Sequence, residues 1–237
     1  MAWYFGADSG TTSNPCGTQF YLGRMGYGET VSVKWPYSGS APSFAYWNIE
    51  GPGTDRNLTQ ATAWGKVQAD AFWNRFWTGQ WPGGTIGYTM FGAVSQGSGG
   101  WLTSGTYNGS TYLELNRGVV DGFLEELAYD NNGHTYSEST TLGLYGSQGE
   151  EFGTLLDAVN SGWQAAEPVV IWVADYGSFS SCSAVESAYC PMPTIAGYFP
   201  MIWQYQGSPD YDITPYDGGL SSAKSYTWHP VAPPGIC

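Results

Sequence analysis

The sequence predicts an α/β protein, a (β/α)8 TIM-like barrel with missing or irregular helices, forming one domain over residues 1–237. Three observations predict it. Eight short strand-like runs are interleaved with at least three helix-like segments, an order that implies a parallel sheet. The run 169–173 is apolar throughout, as in strands buried on both faces. The length suits a single β/α barrel or a large β-sandwich, and no repeat, low-complexity tract or linker divides the chain.

The elements follow in order. The first strand runs from Trp3 through Phe5 to Asp8, where Ser9 and Gly10 form a turn. A second spans 19–24, and a third spans 44–50 before the breakers Gly51, Pro52 and Gly53. The period then changes. Ala61, Trp64, Val67, Ala71 and Phe72 recur at three-to-four spacing, which predicts a helix over 60–77 capped by Asn57 or Thr59. The fourth strand, 85–95, leads into a Gly/Ser-rich loop. A second helix is expected over 115–128, with Val119, Val120, Phe123, Leu124 and Leu127 as its apolar stripe. A fifth strand spans 141–145, a third helix 151–163, and the clearest strand 168–176. Strands over 201–205 and 211–214 close the series.

Hydrophobic residues make up 42% of the chain, enough for one sizeable core, while only 11% are charged. Solubility therefore rests on hydroxyls and amides, against about 25% charged residues in ordinary domains. The 20 acids and 7 bases leave a formal charge of −13, which repels phosphate backbones and anionic lipid surfaces and argues against nucleic-acid binding. No apolar run approaches the roughly 20 residues needed to cross a bilayer, so membrane insertion is not expected.

Four cysteines point to disulfides and a secreted or extracytoplasmic home. The spacing favours Cys182 with Cys190, closing a local loop, and Cys16 with Cys237, tying the chain ends; the other two connectivities stay open. No basic segment followed by an apolar stretch opens the chain, so no signal peptide is visible and a leader is expected to have been removed. No Cys-x-x-Cys pair occurs, and His134 and His229 lack ligand spacing. No metal or other cofactor is expected.

In a β/α barrel, functional groups project from the C-terminal strand ends. That rule selects Asp8, then Asn48 and Glu50 with neighbouring Tyr46, then Ser95 and Tyr145. Asp175 and Tyr176, then Trp203, Gln204 and Tyr205, and finally Asp212 complete the set. Acids and aromatics converging on one rim suit a carbohydrate, whose hydroxyls bond carboxylates and whose apolar faces stack on rings.

The pieces GADSG, GLYGS, VIWVADYG, MIWQYQG and YDITPYDG occur in one order across nearly the whole chain. Ile-Trp-Gln-Tyr followed by an Asp is the most specific of them. Together they resemble glycoside hydrolase family 25 lysozymes and related glycoside-hydrolase-like barrels of bacterial cell-wall proteins. The resemblance implies a cell-wall glycan such as peptidoglycan as ligand. It also implies an Asp-x-Glu pair at the end of the fourth strand, the Glu supplying the proton. Here Ala93 stands where that Asp belongs, and Ser95 where the Glu belongs. Loss of general acid catalysis alone removes a factor of about 10²–10⁴. Asp8 and Asp212 match the family's acids on the first and eighth strands.

Three functions follow, from different classes. One is a glycan-recognising barrel that has lost the usual pair. Another is an active glycan hydrolase using Glu50, its pKa raised by Tyr46 and Trp47, with Asp8 or Asp212. The third is a structural scaffold of a surface assembly. Each site residue also has a plainer reading. Asp8 and Asp175 can cap turns, Glu50 can be a loop acid, and Asp212 can bond loop amides. Trp203 and Tyr205 can be core layers, because alternate residues face opposite sides of a strand. His134 reads as a loop residue and His229 as a tail residue. Glu125, Glu126, Glu150 and Glu151 read as solvated helix faces. Asn57-Leu-Thr and Asn108-Gly-Ser are glycosylation triplets that matter only in a glycosylating host.

Overall fold

The segment Ser43–Ile49 shows how this chain builds a wall. Phe44 and Tyr46 point one way and Ala45, Trp47 and Ile49 the other, and all five are buried. A strand apolar on both faces needs cover on both sides, which a closed barrel wrapped by helices supplies. The computed structural model describes residues 3–8, 13–26, 43–77, 86–95, 99–133, 141–147, 169–189, 200–207 and 209–214.

The strands are β1 (Tyr4–Asp8), β2 (Phe20–Gly26), β3 (Ser43–Ile49), β4 (Ile86–Val94), β5 (Thr106–Tyr107), β6 (Ser110–Thr111), β7 (Thr141–Ser147), β8 (Val169–Ala174), β9 (Ile202–Gly207) and β10 (Asp210–Thr214). The helices are α1 (Leu58–Trp77), α2 (Tyr112–Gly133) and α3 (Cys182–Tyr189). Eight strands close into a barrel in the order β1-β10-β9-β8-β7-β4-β3-β2. The expected barrel is present. The expected all-parallel sheet of eight β/α units is not what the described residues form. Seven strands run parallel, but β10 is antiparallel to both β9 and β1. Only two residues separate β9 from β10, enough for a hairpin and far short of a crossover to a parallel strand.

Caps set the helix starts. Asn57 Oδ1 accepts from the Gln60 N–H and Gln60 Oε1 from the Asn57 N–H, both at 3.0 Å. This reciprocal box makes Asn57, not Thr59, the cap of α1. Thr111 and Glu114 form the same box on α2, which therefore begins three residues before the expected 115. The Thr111 N–H and hydroxyl also hold the exposed Glu114 carboxyl below its usual range. The helix α3 replaces the loop expected after Cys182, with Ser181 Oγ accepting from the Ala184 N–H. The helix expected over 151–163 and the residues His134, Glu150, Glu151 and His229 lie outside the described residues. Among those described, no helix is long and apolar enough to cross a membrane.

Two apolar clusters result. Phe20, Phe44, Phe91 and Trp172 fill the barrel interior, and Gly6 and Gly143 leave the room that the Phe20 and Phe91 rings occupy. Trp47, Phe72, Val94, Phe123 and Leu144 pack between the wall and α1/α2. The disulfide joins Cys16, in the loop after β1, to Cys182 at the start of α3. Neither favoured pairing of Cys182 with Cys190 or Cys16 with Cys237 is therefore formed. Folding of α3 carries Cys182 back to the β1 loop, a proximity that spacing along the chain does not report. Cys190 and Cys237 lie outside the described residues.

Candidate functional site

Strand parity and direction place the site. On the seven parallel strands the C-terminal ends meet at one mouth, and inward positions continue upward from the aromatic plug. Phe20 and Leu22 lead to Arg24, Phe44 and Tyr46 to Asn48, Phe91 and Ala93 to Ser95, and Ile202 to Gln204. Because β10 runs backward, its first residues reach the same mouth. Asp212 thus sits at the middle of β10, opposite Gly6 and Gln204, and not at a C-terminal strand end as the barrel rule assumed.

The mouth holds a cavity of about 180 Å³ lined by Asp8, Arg24, Tyr46, Asn48, Ser95, Tyr145, Gln204 and Asp210. Trp172 lies beneath it. Its ring centroid is 4.2 Å from that of Tyr145 and 5.2 Å from that of Tyr46. The Tyr46 hydroxyl donates to Asp8 Oδ1 at 2.8 Å. The hydroxyls of Tyr145 and Tyr176 both donate to Gln204 Oε1, at 2.6 and 3.0 Å. With its oxygen so engaged, Gln204 offers its amide N–H groups as donors.

Asp212 is fully buried. Trp172 Nε1–H donates to its Oδ1 at 2.9 Å, while Oδ2 has no hydrogen-bond partner among the described residues. Burial, and then the Asp8 carboxylate, hold its pKa well above the ordinary carboxylate range, against the smaller opposing pull of the Trp172 bond. This shift favours the protonated carboxyl group, with Oδ2, the oxygen that Trp172 does not engage, as the place for the proton. Asp210 is also raised by burial, partly offset by the Arg24 guanidinium. Burial keeps the Tyr145 and Tyr176 phenols protonated well beyond neutral pH.

The structure thus brings together Asp8, Tyr46, Asn48, Ser95, Tyr145 and Gln204, with Asp212 directly below. Ala93 lies inside the barrel, only 1% exposed. Glu50 is elsewhere. It lines a separate hollow with Arg56, Trp64 and backbone glycines, because β3 ends at Ile49 and the chain turns away toward α1. Tyr176 stands on the rim, 58% exposed, touching the site through Gln204. Asp175 is exposed, and its carbonyl accepts from Trp203 Nε1 at 2.8 Å.

Trp203 and Tyr205 belong to the outer core, where Trp203 packs on Phe179 and Tyr189. Their parity is opposite to that of Gln204. The Tyr205 hydroxyl donates to Asn14 Oδ1, and burial pushes its pKa up to about 12. Sequence reasoning missed Arg24, Asp210 and Asn14. Arg24 was legible as the third inward position after Phe20 and Leu22. Asp210 needed the reversed direction of β10. Asn14 donates to the Gly6 carbonyl at 2.8 Å and accepts from the Cys16 N–H at 2.9 Å, knitting the β1 loop to the barrel.

No family model matches the chain, and no significant match was found among curated proteins or solved structures.

Proposed function

We propose that this barrel binds a hydroxyl-rich glycan segment in its mouth, a cell-wall glycan in keeping with the sequence resemblance, without the usual proton-donating pair of lysozyme-like enzymes. One observation carries the reading. A polar cup presents carboxylate, amide, phenol and guanidinium groups toward one small cavity, and among the described residues its β4 side contributes Ser95, with Ala93 buried below. Such a mixture of donors and acceptors, with the Tyr46 and Tyr145 rings in the wall, suits hydroxyls and a sugar ring edge. In this reading the barrel is a variant of the (β/α)8 plan, with the parallel strands carrying the functional rim. The Cys16–Cys182 bond favours an extracytoplasmic setting.

A second reading, hydrolysis, rests on Asp210 more than on Glu50. Asp210 lies one step beyond the Ala7–Tyr211 pair, on the strand next to that of Asp8, both residues line the cavity, and burial favours its protonated form. The test is binding of purified cell-wall glycan fragments together with loss of turbidity of bacterial cell walls. Binding without lysis, abolished by Asp8→Asn, is the expected result. Lysis that disappears in Asp210→Asn would establish the hydrolase instead. Absence of both binding and lysis would leave a scaffold. Lysis gained by restoring Asp at 93 and Glu at 95 would show that only the pair is missing.

A further inference from the structure

We infer that the hollow beside the mouth, between the ends of β3 and β4, is a second subsite that takes the next uncharged, hydroxyl-bearing ring of the same glycan; this rests on the glycan reading above. The hollow measures about 310 Å³, larger than the mouth cavity, and is lined by Glu50, Arg56, Trp64 and backbone glycines. Asn48 lines the mouth and Glu50 the hollow. Two residues apart along an extended chain, their Cα atoms lie within about 7 Å. Ser95 and Gly99 continue the two cavities on the β4 side.

The groups facing the hollow are held from behind. Gln68 of α1 clamps the Glu50 backbone at both ends, its Oε1 accepting from the Glu50 N–H at 2.7 Å and its Nε2 donating to the Glu50 carbonyl at 3.0 Å. The Arg56 guanidinium lies 4.9 Å over the Trp64 ring and donates to the Pro52 carbonyl at 2.6 Å. Asn108, from the tip of the β5–β6 hairpin, donates to the Arg56 carbonyl at 3.0 Å. Arg56 lies 3.7 Å from the exposed Asp55 carboxylate, and no ion pair joins it to Glu50. A carboxylate and a guanidinium that do not pair with each other suit a ligand that donates to one and accepts from the other. Glu50 disfavours an anion and Arg56 a cation. Gly99, at φ +78°, has open space where a side chain would stand, while Gly100 packs on the Gly51 backbone and its carbonyl accepts from the Gly53 N–H at 2.9 Å, which joins the two backbone segments lining the hollow.

The experiment compares calorimetric binding of β-1,4-linked N-acetylglucosamine disaccharide and tetrasaccharide to the native protein and to Arg56→Gln and Glu50→Gln, with circular dichroism as the check on folding. The native chain is expected to bind the tetrasaccharide about tenfold more tightly, an increment of about 1.4 kcal/mol, and the ratio should fall toward one in both variants. Equal binding of both oligomers by the native chain, or a ratio that survives both substitutions, overturns the second subsite while leaving the mouth reading intact. Failure of the native chain to bind either oligomer overturns both.

Discussion

Asp212 carries a carboxyl group into the barrel interior at no exposure to water. An isolated buried charge is costly, so such groups neutralise. One oxygen answers Trp172, and burial, then the Asp8 carboxylate, favour the protonated form. The sign of the pH effect follows. A folded pKa above the unfolded value of about 4 means that folded protein holds more protons between the two. Stability is then greatest below the unfolded pKa and declines as pH rises toward the folded one. Asp212→Asn keeps an acceptor for Trp172 and removes the ionisation. We predict a higher urea midpoint than native at neutral pH, with the difference shrinking toward pH 4. A constant difference across that range would contradict a neutral Asp212. At this scale, Asp8, Asn48, Ser95 and Gln204 were legible from strand ends. Trp203 and Tyr205 were not separable from Gln204 without knowing which parity faces inward.

At the scale of elements, α1 and α2 meet through glycines. A Cβ on Gly122 would run into the Thr62 carbonyl, and one on Gly65 into the Val119 carbonyl. These obstacles are backbone atoms of the opposite helix, which cannot rotate aside. Gly122→Ala is therefore expected to push the helices apart and destabilise the protein by about 1–3 kcal/mol, the range for overpacking, despite alanine's better helix propensity. Chemical denaturation reads it, and a gain in stability would mean the helices are looser than described. The apolar stripes of both helices were legible from their period, as was Asn57 as one of two caps. The α2 cap was equally readable as Thr-x-x-Glu, and the β5–β6 hairpin as Asn108-Gly109, whose φ values of 49° and 87° fit a tight two-residue turn. Both signals were local, and reading Asn108 only as a glycosylation triplet concealed the second.

For the whole molecule, the reversed strand β10 closes the barrel by pairing with β9 and β1, and a disulfide ties the loop after β1 to α3. Cys16–Cys182 spans 166 residues of sequence, and the chain-entropy model assigns such a loop about 5 kcal/mol. Replacing both cysteines with serine is predicted to lower stability by up to about that amount. Peptide mapping without reduction should recover Cys16 joined to Cys182. Recovery of Cys16 with Cys237 would restore the pairing that spacing favoured. Sequence alone determined that a barrel forms, because strands apolar on both faces and amphipathic helices at these intervals have few other ways to be covered. It also determined much of the rim, since strand ends are local features. Tertiary structure decided the direction of β10, the partner of Cys16, the removal of Glu50 to a neighbouring hollow and the arrival of Arg24 and Asp210 at the mouth. Each of these depends on which distant segments become neighbours when the sheet closes, and periodicity along a chain carries no record of that.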